Sequence, residues 1–123
     1  MRGFIMNNQN YFGQFQDWSD VVSNFNLDRS TLEPKYVWAS YNGGSYDGYS
    51  AVVFFDEGEW KLVTGSHCSC YGLEGQFDPD TFDPEVHFKA LTEGKRYVSD
   101  YTQSLSDQTE FDEWLKWAVE QAS

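Results

Sequence analysis

Basic residues are scarce. Eight Lys and Arg stand against twenty Asp and Glu, for a formal charge of -12 over 123 residues. A field of that sign repels phosphate backbones and anionic headgroups, which argues against direct binding to nucleic acid or to a membrane surface. Long apolar runs are missing as well: none approaches the ~20 residues that a membrane span requires. The opening Met1-Arg2-Gly3-Phe4-Ile5-Met6 turns polar too soon for a secretory signal, so the expected location is the cytoplasm. Cysteine is limited to two residues, which a cytoplasm would keep as thiols. A chain of this length can bury a core without a disulfide or metal staple. There is no internal repeat and no long linker.

What the sequence has in quantity is aromatic surface: Phe 10, Tyr 8 and Trp 5. That is enough apolar area to fold despite the charge. We read residues 1–10 as a flexible N-terminus and 11–123 as one α+β domain. Phe12, Phe15, Trp18, Val22 and Phe25 recur at helical spacing and predict a helix from near Tyr11 to Asn24, with Asp17 as an alternative cap. Tyr36–Tyr41, Tyr49–Asp56 and Glu59–Thr64 are β-branched and aromatic, and Glu57-Gly58 between the last two is the strongest hairpin signal. Both faces of the middle segment are apolar, which predicts a central strand covered by helices.

The expected architecture is thus a three- to four-stranded antiparallel meander packed against N- and C-terminal helices, the fourth strand lying near Tyr97. Phe77–Phe82 is too acidic and proline-broken for regular structure. Asp83-Pro84 opens a helix with Val86, Ala90 and Leu91 as its apolar face and Gly94 as its stop. Ser106 or Asp107 caps a last helix whose stripe is Phe111, Trp114, Leu115, Ala118 and Ala122.

Two features carry chemistry. One is Gly65-Ser66-His67-Cys68-Ser69-Cys70-Tyr71-Gly72-Leu73-Glu74-Gly75-Gln76, a strand leaving the sheet into a shaped loop. His67, Cys68 and Cys70, with His87 from the next helix, are ligand types that zinc accepts. The spacing is poor for it, because structural zinc takes cysteine pairs two or more residues apart and a second pair is missing. Nucleophilic catalysis is disfavoured too, since Glu74, Asp78 and Asp80 would raise a thiol pKa. Buried thiols, with His67, Ser66 and Ser69 satisfying loop amides, are the plainer reading. No cofactor and no enzymatic activity are assigned.

The other feature is acid. Nine carboxylates and one base lie between Asp47 and Glu85, so eight of the twelve net negative charges fall in a third of the chain. A solubilising surface is one reading. The sharper one is mimicry, in which carboxylates occupy a basic cleft built for nucleic acid. Asp47, Glu57, Glu59, Asp78, Asp80, Asp83 and Glu85 are the expected charged contacts, and Trp60, Phe77 and Phe82 the expected anchors.

From Gly65 to Phe77, followed by acids and a proline, the chain resembles a family of small bacteriophage proteins that carry a short β-meander and an SHCSCYGLEGQ-type loop. The match covers roughly Tyr36 to Leu91. The resemblance implies a phage origin, the cytoplasm of an infected bacterial cell as location, and inhibition of a host defence nuclease, such as a CRISPR effector or restriction enzyme, as the role.

Overall fold

A computed structural model describes residues 6–43, 47–68, 71–94 and 108–123. Its strands are β1 (Gln9–Gly13), β2 (Tyr36–Gly43), β3 (Gly48–Asp56), β4 (Glu59–His67) and β5 (Asp80–Thr81). Its helices are α1 (Trp18–Phe25), α2 (Pro84–Thr92) and α3 (Gln108–Ala122). The strands form one sheet in chain order, β1-β2-β3-β4-β5. The β2-β3-β4 meander, with β3 at its centre, is as the sequence predicts. The sheet is nevertheless five-stranded and mixed, because β1 runs parallel to β2 and β5 adds a short antiparallel edge.

The parallel pair exists because α1 is a crossover between β1 and β2 rather than the whole N-terminal element. Asp17 caps α1 by accepting from Asp20 N–H at 3.0 Å. Asn26 closes it in the left-handed conformation, φ 57°, as Leu27 N–H reaches back to Val22 O at 2.8 Å. Tyr11 and Phe12 therefore belong to β1, and Phe15 to the connection. The N-terminal stretch is also tied down earlier than expected: Asn8 O accepts from Val37 N–H at 2.9 Å, and Asn7 O from Trp114 Nε1–H at 2.7 Å.

Strand alternation divides the core in two. Val37, Ala39 and Tyr41 of β2 share a face with Val52 and Phe54 of β3 and Val63 of β4, packed under α1 by Phe15, Trp18, Val21, Val22 and Phe25. Tyr36, Trp38, Val53 and Trp60 take the other face, against Phe111, Trp114, Leu115 and Ala118 of α3. Trp114 is fully buried, its ring centroid 5.3 Å from Trp38 and 6.0 Å from Trp60. Burial of each such side chain contributes ~1.5–3 kcal/mol. Covering both faces satisfies the doubly apolar β3.

Glu57 (φ 52°) and Gly58 (φ 79°) make the two-residue β3–β4 turn, with Asp56 opposite Glu59. Asp83 caps α2 as predicted, accepting from Glu85 N–H at 2.9 Å. Ala90 is buried on the inward side of α2 as expected, but His87 is buried beside it and Val86 is exposed. Trp117 of α3 is half-buried against Tyr36. The expected strand near Tyr97 and the Ser106 or Asp107 cap lie outside the described residues.

Candidate functional site

The two ends of the sheet hold the two candidate regions. One end carries the close of β2, the start of β3 and the loop that follows His67; the other carries the β3–β4 turn, β5 and the start of α2.

At the first end the polar groups satisfy one another. His67 Nδ1 lies 2.6 Å from the Tyr41 hydroxyl, and the rings meet edge-on. Burial, and secondarily the charge of Glu74, raises the Tyr41 pKa, so the phenol stays protonated and can donate to that nitrogen. Gly48, opposite His67 in the ladder, leaves room for the ring: a Cβ there would sit 2.5 Å from His67 Cε1 and 2.4 Å from Asn42 O. Gln76 reaches back to the free edge of β4 as a substitute strand. Its Oε1 accepts from Ser66 N–H at 2.9 Å, and its Nε2 donates to Ser66 O and to Gly72 O, both at 2.7 Å. Cys68 and Tyr71 then exchange backbone hydrogen bonds.

Cys68 is disulfide-bonded, which corrects the expectation of thiols at that position. Cys70 lies outside the described residues. His67 shares the α1 face of the sheet, whereas His87 is buried against the α3 side, 5.6 Å from the Phe111 ring and with Nε2 3.0 Å from Asp112 Oδ1. The two imidazoles proposed for one metal thus lie on opposite faces of the sheet. Among the described residues no three His, Cys, Asp or Glu side chains converge as a metal site. The hydroxyl of Tyr41 is the side-chain partner that orients His67.

The second end is built from β4 and what pairs with it. Asp80 lies opposite Leu62 and Thr81 opposite Lys61, and Phe82 N–H donates to Trp60 O at 3.0 Å. That register carries Asp80 and Asp83 alongside the hairpin tip that bears Asp56, Glu57 and Glu59. All five are exposed, as are Asp78 just before β5 and Glu85 in the first turn of α2. Two lysines approach this end: Lys61 alternates onto the α1 face, 4.0 Å from Asp56, and Lys35, just before β2, lines a shallow pocket with Asp56 and Glu57. An ion pair of that length and exposure contributes little. Asp47 does not join the group, because it precedes β3 and stands off from the hairpin tip by the strand's nine residues, roughly 30 Å.

The anchors need a larger correction. Trp60 and Phe82 are core residues, 8% and 6% exposed, on the α3 face. Phe77 packs on the other face against Phe25 and Phe54, at centroid distances of 5.4 and 6.0 Å. Acid-flanked aromatics read as exposed because their neighbours are polar, yet alternation along β4 turns Trp60 inward, backbone pairing with Trp60 carries Phe82 into the same core, and Phe77 packs on Phe25 and Phe54. Asp56, one of the nine acids but not among the expected contacts, is placed beside Glu59 by the two-residue turn. The sequence reading missed Val86, 44% exposed, which with Leu62, Phe82, Asp80, Thr81 and Asp83 lines a groove of about 390 Å³. The helical spacing of Val86 and Ala90 concealed it by suggesting a shared buried face.

No protein-family model, no curated protein and no solved structure matches this chain.

Proposed function

We propose that the chain is an acidic inhibitor that binds through the hairpin-tip end of its sheet to a basic, nucleic-acid-binding cleft of another protein. The observation that carries this reading is the gathering of Asp56, Glu57, Glu59, Asp80 and Asp83 at one sheet end, by a two-residue turn and a short fifth strand. Carboxylates fixed on rigid elements present their charge without the ordering cost of a flexible tail. They steer a basic partner and hold it by interactions that salt weakens. The resemblance to small phage proteins supplies the partner class, a host defence nuclease. On this reading Glu57, Glu59, Asp80 and Asp83 make the central contacts, Asp78 and Glu85 the flanking ones, and no cofactor takes part.

The test is DNA cleavage by the purified restriction and CRISPR nucleases of a candidate host, with the protein added at rising concentration. Inhibition that is relieved by added salt and by competing DNA supports the reading. Cleavage unaffected across the set, or inhibition indifferent to salt, overturns it.

A further inference from the structure

Resting on that reading, we infer that the groove between the β4–β5 edge and the first turn of α2 receives an arginine side chain of the partner. Leu62, Phe82 and Val86 supply the apolar lining of this trough of about 390 Å³. Its lips carry charge: Asp80 on β5 and Asp83 at the head of α2 both line it. One Asp83 oxygen already accepts from Glu85 N–H, leaving the second for an outside donor.

The charge lining the groove is of one sign. Lys61 faces the opposite side of the sheet with Asp56, and no Lys or Arg lines the trough. Val86, 44% exposed beside these carboxylates, is an apolar surface with no cover among the described residues. The occupant that matches both features has a long apolar stem and a cationic head. Arginine fits better than lysine, because guanidinium is weakly hydrated, tolerates apolar walls and offers several donors in a plane to carboxylates on two sides. Phe82 then contributes as lining rather than as a protruding anchor.

The experiment is a methyl NMR titration of the full chain with N-acetyl-arginine amide, with the lysine and norleucine amides as comparison probes. Saturating shifts of the Leu62 and Val86 methyls with the arginine probe, weakened about threefold by Asp80→Asn and again by Asp83→Asn, support the assignment. Asn at position 83 retains a capping acceptor, so α2 stays formed. Equal shifts with the norleucine amide would make the trough merely apolar, and equal shifts with the lysine amide would remove the preference for guanidinium; either overturns the proposal. So does the absence of shifts with the arginine amide. That last result leaves the broader reading standing if nuclease inhibition is still salt-sensitive, whereas arginine binding without any nuclease inhibition would retain the groove and remove the broader reading.

Discussion

The two ends of the sheet treat their polar residues in opposite ways. At the loop end, His67, Tyr41, Gln76, Ser66 and Cys68 are all engaged inside the molecule, by side-chain hydrogen bonds, by substitute strand pairing or by a disulfide. At the hairpin-tip end, Glu57, Glu59 and Asp80 stand exposed with no ion pair among the described residues. Chemically versatile side chains that are fully occupied by their own fold are structural. Charged ones left unoccupied, on rigid elements beside an apolar groove, are available to a partner. The difference reverses the first impression of the sequence, in which the loop holds the eye.

The comparison is broken most severely by crowding the loop end. Gly48→Ala puts a Cβ against Asn42 O and the His67 ring, and is expected to destabilise the fold by about 3 kcal/mol in chemical denaturation. Gln76→Ala removes the partner of both Ser66 backbone groups and of Gly72 O, and is expected to cost about 2 kcal/mol by the same measurement. Neither should change the salt sensitivity of partner binding in protein that remains folded.

Alkali sharpens the same contrast. Tyr11, hydrogen-bonded to Glu33, and Tyr41, against His67, both have pKa values raised above the ordinary tyrosine value of 10.0, chiefly by burial. Their contribution to stability is complete below about pH 10 and is lost as pH rises through the folded-state values. Tyr41→Phe should therefore flatten the fall in stability measured between neutral pH and pH 11. A slope identical to that of the unaltered protein would show that Tyr41 is not one of the groups responsible.

The smallest effect separates charge from fold at the hairpin tip. Glu57 occupies a left-handed position that asparagine tolerates better, so Glu57→Asn should stabilise the fold by about 0.5 kcal/mol while weakening partner binding. Parallel losses in stability and binding would contradict the division between a structural turn and an exposed charge.

Much of this was legible in the sequence where local pattern and tertiary outcome agree. The alternation of Tyr49–Asp56, the Glu57-Gly58 turn and the Asp83-Pro84 helix start all appear as read. The pattern misled at Phe12, Phe15 and Trp18, whose helical spacing is satisfied by three different devices: a strand side chain, a connection residue and a helix. The β5 pairing was not legible at all, because two residues gain strand geometry only from the edge of β4. The acids were visible as a composition; their division between the two ends, with Asp47 apart, needed the register of β3.

The most direct test of the central claim holds net charge fixed and moves the site of its removal. Two double variants, Glu59→Gln with Asp80→Asn at the hairpin-tip end and Asp47→Asn with Glu74→Gln at the loop end, each remove two negative charges. Affinity for the inhibited nuclease, measured at one ionic strength, should fall about tenfold for the first pair and change little for the second. Equal losses for the two pairs would mean that total charge, rather than the gathered sheet end, governs binding.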